Sequence, residues 1–111
     1  MDKKTERRLR AAGWNIGDAA DFLELTAEEV AFIELKLAMS RSLRQQREKQ
    51  GITQVALAKL LGSSQSRVAK MEAGDSSVTI DLLMRALLAL GLTKKELSKI
   101  VAKADQIATS L

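Results

Sequence analysis

Residues 53–74 read TQVALAKLLGSSQSRVAKMEAG, two short segments each opened by a hydroxyl side chain and closed by a glycine. Thr53 is placed to cap a helix running through Leu61, and Ser64 or Ser63 a second one through Ala73. A hydroxyl at the N-cap accepts a hydrogen bond from one of the backbone N–H groups that a helix start leaves unpaired. Gly62 and Gly74 close the two helices, since glycine takes a positive φ without steric cost. With Gln54 as first position, Ala58 is fifth, Gly62 ninth and Val68 fifteenth. Two helices crossing steeply need a small side chain where their axes approach, which Ala58 supplies. Val68 then turns inward with Leu57, Leu61 and Met71. The outer side of the second helix is left to Gln65, Ser66, Arg67 and Lys70, none of which a core requires.

The flanking sequence continues the helical pattern. Upstream, Thr26 and Glu29 form a capping box ahead of a helix from Ala27 to about Gln50, which Gly51 ends. Its apolar positions fall on two stripes, Val30, Ile33 and Leu37 beside Phe32, Leu35, Met39 and Leu43. Downstream, Thr79 caps a helix from Ile80 to Leu90, and Thr93 with Glu96 forms a second capping box. The last helix carries Leu97, Ile100, Val101, Ala104, Ile107, Ala108 and Leu111 at helical spacing. Asp18 is placed to cap a short helix through Leu23, behind a basic arm over residues 1–13. No alternating strand pattern or internal repeat occurs. The expected class is all-α, with residues 1–26 as an arm and short helix, and 27–111 as one domain built around a helix-turn-helix at 53–74.

Composition narrows the function. The 111 residues suffice for one domain, and 46% hydrophobic with 29% charged residues is ordinary globular composition. Histidine and cysteine are both absent, which removes the commonest general base and the thiolate ligands. No phosphate loop accompanies the carboxylates, so no enzyme, metal site or cofactor is expected. No apolar run approaches the roughly 20 residues that span a bilayer, and MDKKTERRLR leads into no apolar leader segment. A soluble cytoplasmic protein without membrane partners is the expectation. Charge is unevenly spread. Residues 15–35 hold Asp18, Asp21, Glu24, Glu28, Glu29 and Glu34 and no Lys or Arg, while residues 36–70 hold eight Lys or Arg against Glu48 alone. Two partners of opposite sign would account for this, as would two solvated helix faces.

The polar outer side at 65–70 matches what reading the DNA major groove demands. Glutamine pairs with adenine at N6 and N7, arginine and lysine with guanine at O6 and N7, and serine with several base edges. Such contacts come from the start of a recognition helix. Gln54, at the start of the preceding helix, would abut a phosphate with the helix dipole favouring the anion. For Arg67 a phosphate contact, solvent exposure alone and a base edge all stand. Ser76 and Ser77 either reach backbone phosphates or simply form a turn.

On Arg47, Gly51, Thr53-Gln54, Leu57-Ala58, Gly62, Ser64-Gln65-Ser66, Val68, Glu72 and Gly74, the chain resembles the lambda-repressor-like or Xre family of helix-turn-helix proteins. The resemblance spans about residues 38–91. It implies a five-helix DNA-binding domain, here with an N-terminal helical extension, in a transcriptional repressor. It further implies that the glutamine at 54 braces the one at 65 while touching a phosphate, and that Ser64, Gln65, Ser66 and Lys70 reach bases. A structural ion pair between Arg47 and Glu72 follows from the same resemblance. Lys70 stands where some members have glutamine, which leaves the base preference there open.

The front of the chain, with Gly13-Trp14, Asp21-Phe22-Leu23, Leu25-Thr26, Glu28-Glu29 and Ile33-Glu34-Leu35, is similar in layout to HigA-like antitoxins. That implies an autoregulating antitoxin that also neutralises a small basic toxin protein, with Trp14, Asp21, Phe22, Glu24 and Glu28 as candidate toxin contacts. Trp14, Phe22 and Phe32 could equally fold back on the chain's own core. The alternative function is a stand-alone prophage-type repressor or restriction-modification controller with no toxin partner. Either would act as a homodimer on an inverted-repeat operator in double-stranded DNA. The last helix and the long front helix are both candidates for the dimer seam.

Overall fold

A hydroxyl side chain heads every helix among the described residues. The computed structural model describes the backbone of residues 25–110 and the side chains of residues 25–104. Five helices follow in order: α1 (Ala27–Lys49), α2 (Gln54–Leu61), α3 (Gln65–Glu72), α4 (Ile80–Ala89) and α5 (Lys94–Ser110). Thr26, Thr53, Ser64 and Thr79 each accept from the backbone N–H three residues on. Thr93 does the same for Glu96 at 3.1 Å. Both capping boxes close, with Glu29 accepting from the Thr26 amide at 3.2 Å and Glu96 from the Thr93 amide at 3.0 Å. Ser64, not Ser63, caps α3. The last two boundaries fall slightly short of expectation, because Ala73 and Leu90 serve as C-caps. The described residues contain no strand, and no helix among them is long and apolar enough to cross a membrane. The expected arm and Asp18–Leu23 helix lie outside the described residues.

α1 is the spine, packing against α5, α4 and α3, while α2 and α3 pack on each other. Leu43, Leu57, Val68, Met71, Leu83 and Leu87 form the fully buried centre. At 23 residues α1 is about 34 Å long and overruns this body, burying side chains only from Ala38 onward. Three positions differ from expectation. Phe32, on an expected apolar stripe, stands 55% exposed, because no described element lies beneath the front turns of α1. Leu61 is half-buried rather than central, and Val101 is exposed at the edge of the α5 stripe.

The glycine that follows α3 fixes how that helix leaves α1. Gly74 has φ +70°, and a Cβ there would stand 3.2 Å from Leu37 Cδ2. The backbone conformation favours glycine, and an added Cβ would require the end of the Leu37 side chain to give by a few tenths of an ångström. Beside it the Ser40 hydroxyl is buried with no hydrogen-bond partner.

Candidate nucleic-acid interface

The turn between α2 and α3 is built by Gly62 at φ 64°, ψ 37°. Its N–H donates to the Lys59 carbonyl at 3.2 Å, and the Ser63 N–H to the Ala58 carbonyl at 2.8 Å. These bonds satisfy carbonyls the helix end would otherwise leave unpaired. The buried Ala58 lets the two axes approach, and Val68 and Met71 fasten α3 to the core by its inner side. Helical spacing then leaves Gln65, Ser66, Arg67 and Lys70 exposed.

One chain of hydrogen bonds joins the core to that exposed side. Arg47 Nε donates to Glu72 Oε2 at 2.5 Å and Nη2 to Oε1 at 3.0 Å. Its Nη1 donates to the Ile52 carbonyl at 2.9 Å. Glu72 Oε1 also accepts from Gln54 Nε2 at 3.1 Å, and Gln54 Oε1 accepts from Gln65 Nε2 at 2.7 Å. The Glu72 side chain is only 4% exposed and that of Arg47 13%. The hydrogen bond to Glu72 raises the Arg47 pKa further, against the opposing effect of burial. Sequence reasoning treats Arg47–Glu72 and Gln54–Gln65 as separate pairs; the structure links them through Glu72.

The linkage dictates which way each amide points. An ionised carboxylate only accepts, so Gln54 must turn its NH2 to Glu72 and its oxygen to Gln65. Gln65 must then spend one N–H on Gln54, leaving its other N–H and its carbonyl oxygen facing out. A donor and an acceptor side by side are what the adenine major-groove edge pairs with.

The remaining candidates divide. Ser64 is committed as the α3 cap, its Oγ accepting from Arg67 N at 3.2 Å. Ser77 donates both its N–H and its hydroxyl to Asp75 Oδ1, at 2.9 and 2.7 Å, so its donors serve the turn. Asp75, which sequence reasoning does not single out, closes this turn, and Asp-Ser-Ser after a glycine is the local signal for it. Ser76 is half-buried beside it. Glu28 is exposed at the start of α1, while Trp14, Asp21, Phe22 and Glu24 lie outside the described residues.

Electrostatics separate α2 and α3 from the other helices. The first turns of α1, α4 and α5 carry Glu28 with Glu29, Asp81 and Glu96, whereas those of α2 and α3 carry no acidic residue. Neither helix start therefore carries an acidic residue of its own to repel an approaching anion. Residues 43–97, about half of the chain, match the helix-turn-helix family model. No curated protein and no solved structure gives a match.

Proposed function

With residues 43–97 forming a helix-turn-helix domain of the lambda-repressor-like family, the mark of a DNA-binding transcriptional regulator, we propose that this protein is a repressor that reads its operator through α3. The observation that carries the proposal is the Arg47–Glu72–Gln54–Gln65 chain, which holds a reading side chain at a fixed angle before DNA arrives. Gln65 would accept from adenine N6 and donate to N7, with Ser66 and Lys70 meeting neighbouring base edges. Gln54, Ser64 and the two helix starts that carry no acidic residue would hold the flanking phosphates, and Arg67 would meet phosphate rather than base. Ser76 and the turn around Ser77 lie where α3 ends and would bound the footprint. Two copies on an inverted repeat would place their α3 helices in successive major grooves about one turn apart. Occupancy would then block transcription.

The front of α1 favours a second activity in the same protein. Phe32 stands exposed on the same helix turns as the exposed Glu28 and Glu29, an acidic surface with an aromatic anchor. A small basic protein fits such a surface, in keeping with an antitoxin that silences its own operon.

DNA docking by this face predicts steep salt dependence. If about six phosphates are held per dimer, log K should fall against log salt with a slope of roughly −5. A flat response rules out the docking mode. Co-expression with the neighbouring reading frame tests the antitoxin role: a small basic protein that co-purifies, and is lost with Phe32→Glu, supports it. No co-purification leaves the stand-alone repressor.

A further inference from the structure

We propose that the groove between α1 and α5 is an effector site for a small organic phosphate of nucleotide size. The groove holds about 540 Å³, within the range of roughly 300–1,000 Å³ typical of small-molecule sites. Its floor is apolar, formed by Ala38, Leu92 and Ile100. Arg41 from α1 and Lys99 and Lys103 from α5 stand on its rims, with Gln45 and Gln46 along the α1 wall.

Three cations converge on this one groove. Arg44, Arg47 and Arg85 each hold a carboxylate, whereas among the described residues no carboxylate lies within ion-pair distance of Arg41, Lys99 or Lys103. The one acid on the lining, Glu96, is engaged by the Thr93 amide and hydroxyl, both at 3.0 Å; Lys99 acts on it through its charge but forms no ion pair with it. Three unpaired cations above an apolar floor, with two side-chain amides alongside, suit a ligand with a phosphate at one end and a flat heterocycle at the other. Arginine grips phosphate bidentately and lysine as a point charge.

The location adds a functional consequence. At about 100° per residue around α1, Ala38, Arg41 and Gln45 point away from Ser40 and Arg47, the residues facing α3. A ligand in the groove would leave the recognition helix clear, so protein, effector and operator can form one complex. This inference does not depend on the DNA reading.

Calorimetric titration of the full chain with AMP, adenosine and inorganic phosphate tests it. Saturable one-to-one AMP binding is expected, with Kd below about 1 mM and tighter than for either half-molecule. In an Arg41→Gln/Lys99→Gln/Lys103→Gln variant it should weaken by on the order of tenfold or more, while Gln65→Ala leaves it unchanged. Independently of any variant, the methyl resonances of Ala38, Leu92 and Ile100 should shift on AMP addition and those of Val68 should not. Absent binding, inorganic phosphate binding as well as AMP, or shifts centred on α3 would each overturn the assignment.

Discussion

Removing the Glu72 carboxylate leaves Arg47 charged and mostly buried, with only the exposed Glu48 carboxylate, 3.9 Å away, as a remaining partner. Breaking one side of a buried pair costs about 3–5 kcal/mol. Because Arg47 keeps some exposure and its bond to the Ile52 carbonyl, Glu72→Ala should fall at the low end, near 3 kcal/mol in urea unfolding. A loss under about 1 kcal/mol, the value of an exposed pair, would show that the pair does not hold α3 in place. The glycines offer a matched comparison. Gly62→Ala meets open space and incurs only the left-handed backbone cost, about 1–2 kcal/mol. Gly74→Ala incurs that cost and also crowds Leu37, so it should destabilise by more. Equal losses at the two positions would mean that α1 yields freely at Leu37.

Among the elements, α1 and α5 begin with closed capping boxes, and this ties their stability to acid. The Thr26 and Thr93 backbone amides hold the Glu29 and Glu96 carboxyls below the usual glutamate range. A carboxylate whose pKa is lower folded than unfolded stabilises the fold above the unfolded value. It loses that contribution as pH falls through the folded one. Melting temperature should therefore drop as pH falls below about 4.3, the ordinary glutamate value. A Glu29→Gln/Glu96→Gln variant should melt lower at neutral pH and show a shallower acid limb; an unchanged limb would remove the boxes from the account. These helix starts were legible in the sequence because a cap is a local device, fully contained in four residues. The placement of Gln65, Ser66, Arg67 and Lys70 outside α3 was legible too, following from helical period once Val68 and Met71 are assigned inward. The link from Glu72 to Gln54 was not, since it joins residues 18 apart whose meeting depends on the crossing angle of α2 and α3. Nor was the exposure of Phe32, because periodicity shows that a stripe is apolar and not where the body beneath it stops.

Across the molecule, charge and packing follow the same division. The front of α1 carries acid and an exposed ring beyond the packed body, α2 and α3 have helix starts free of acidic residues, and the groove of α1 and α5 gathers three cations. The polar side of α3 is the surface on which the function rests, and the braced Gln65 is its centre. The direct measurement is the affinity of Gln65→Ala for the operator and for random duplex DNA at one salt concentration. The account predicts a loss of ~1–3 kcal/mol on the operator alone, with random DNA bound as before. Equal losses on both, or none on either, would contradict it.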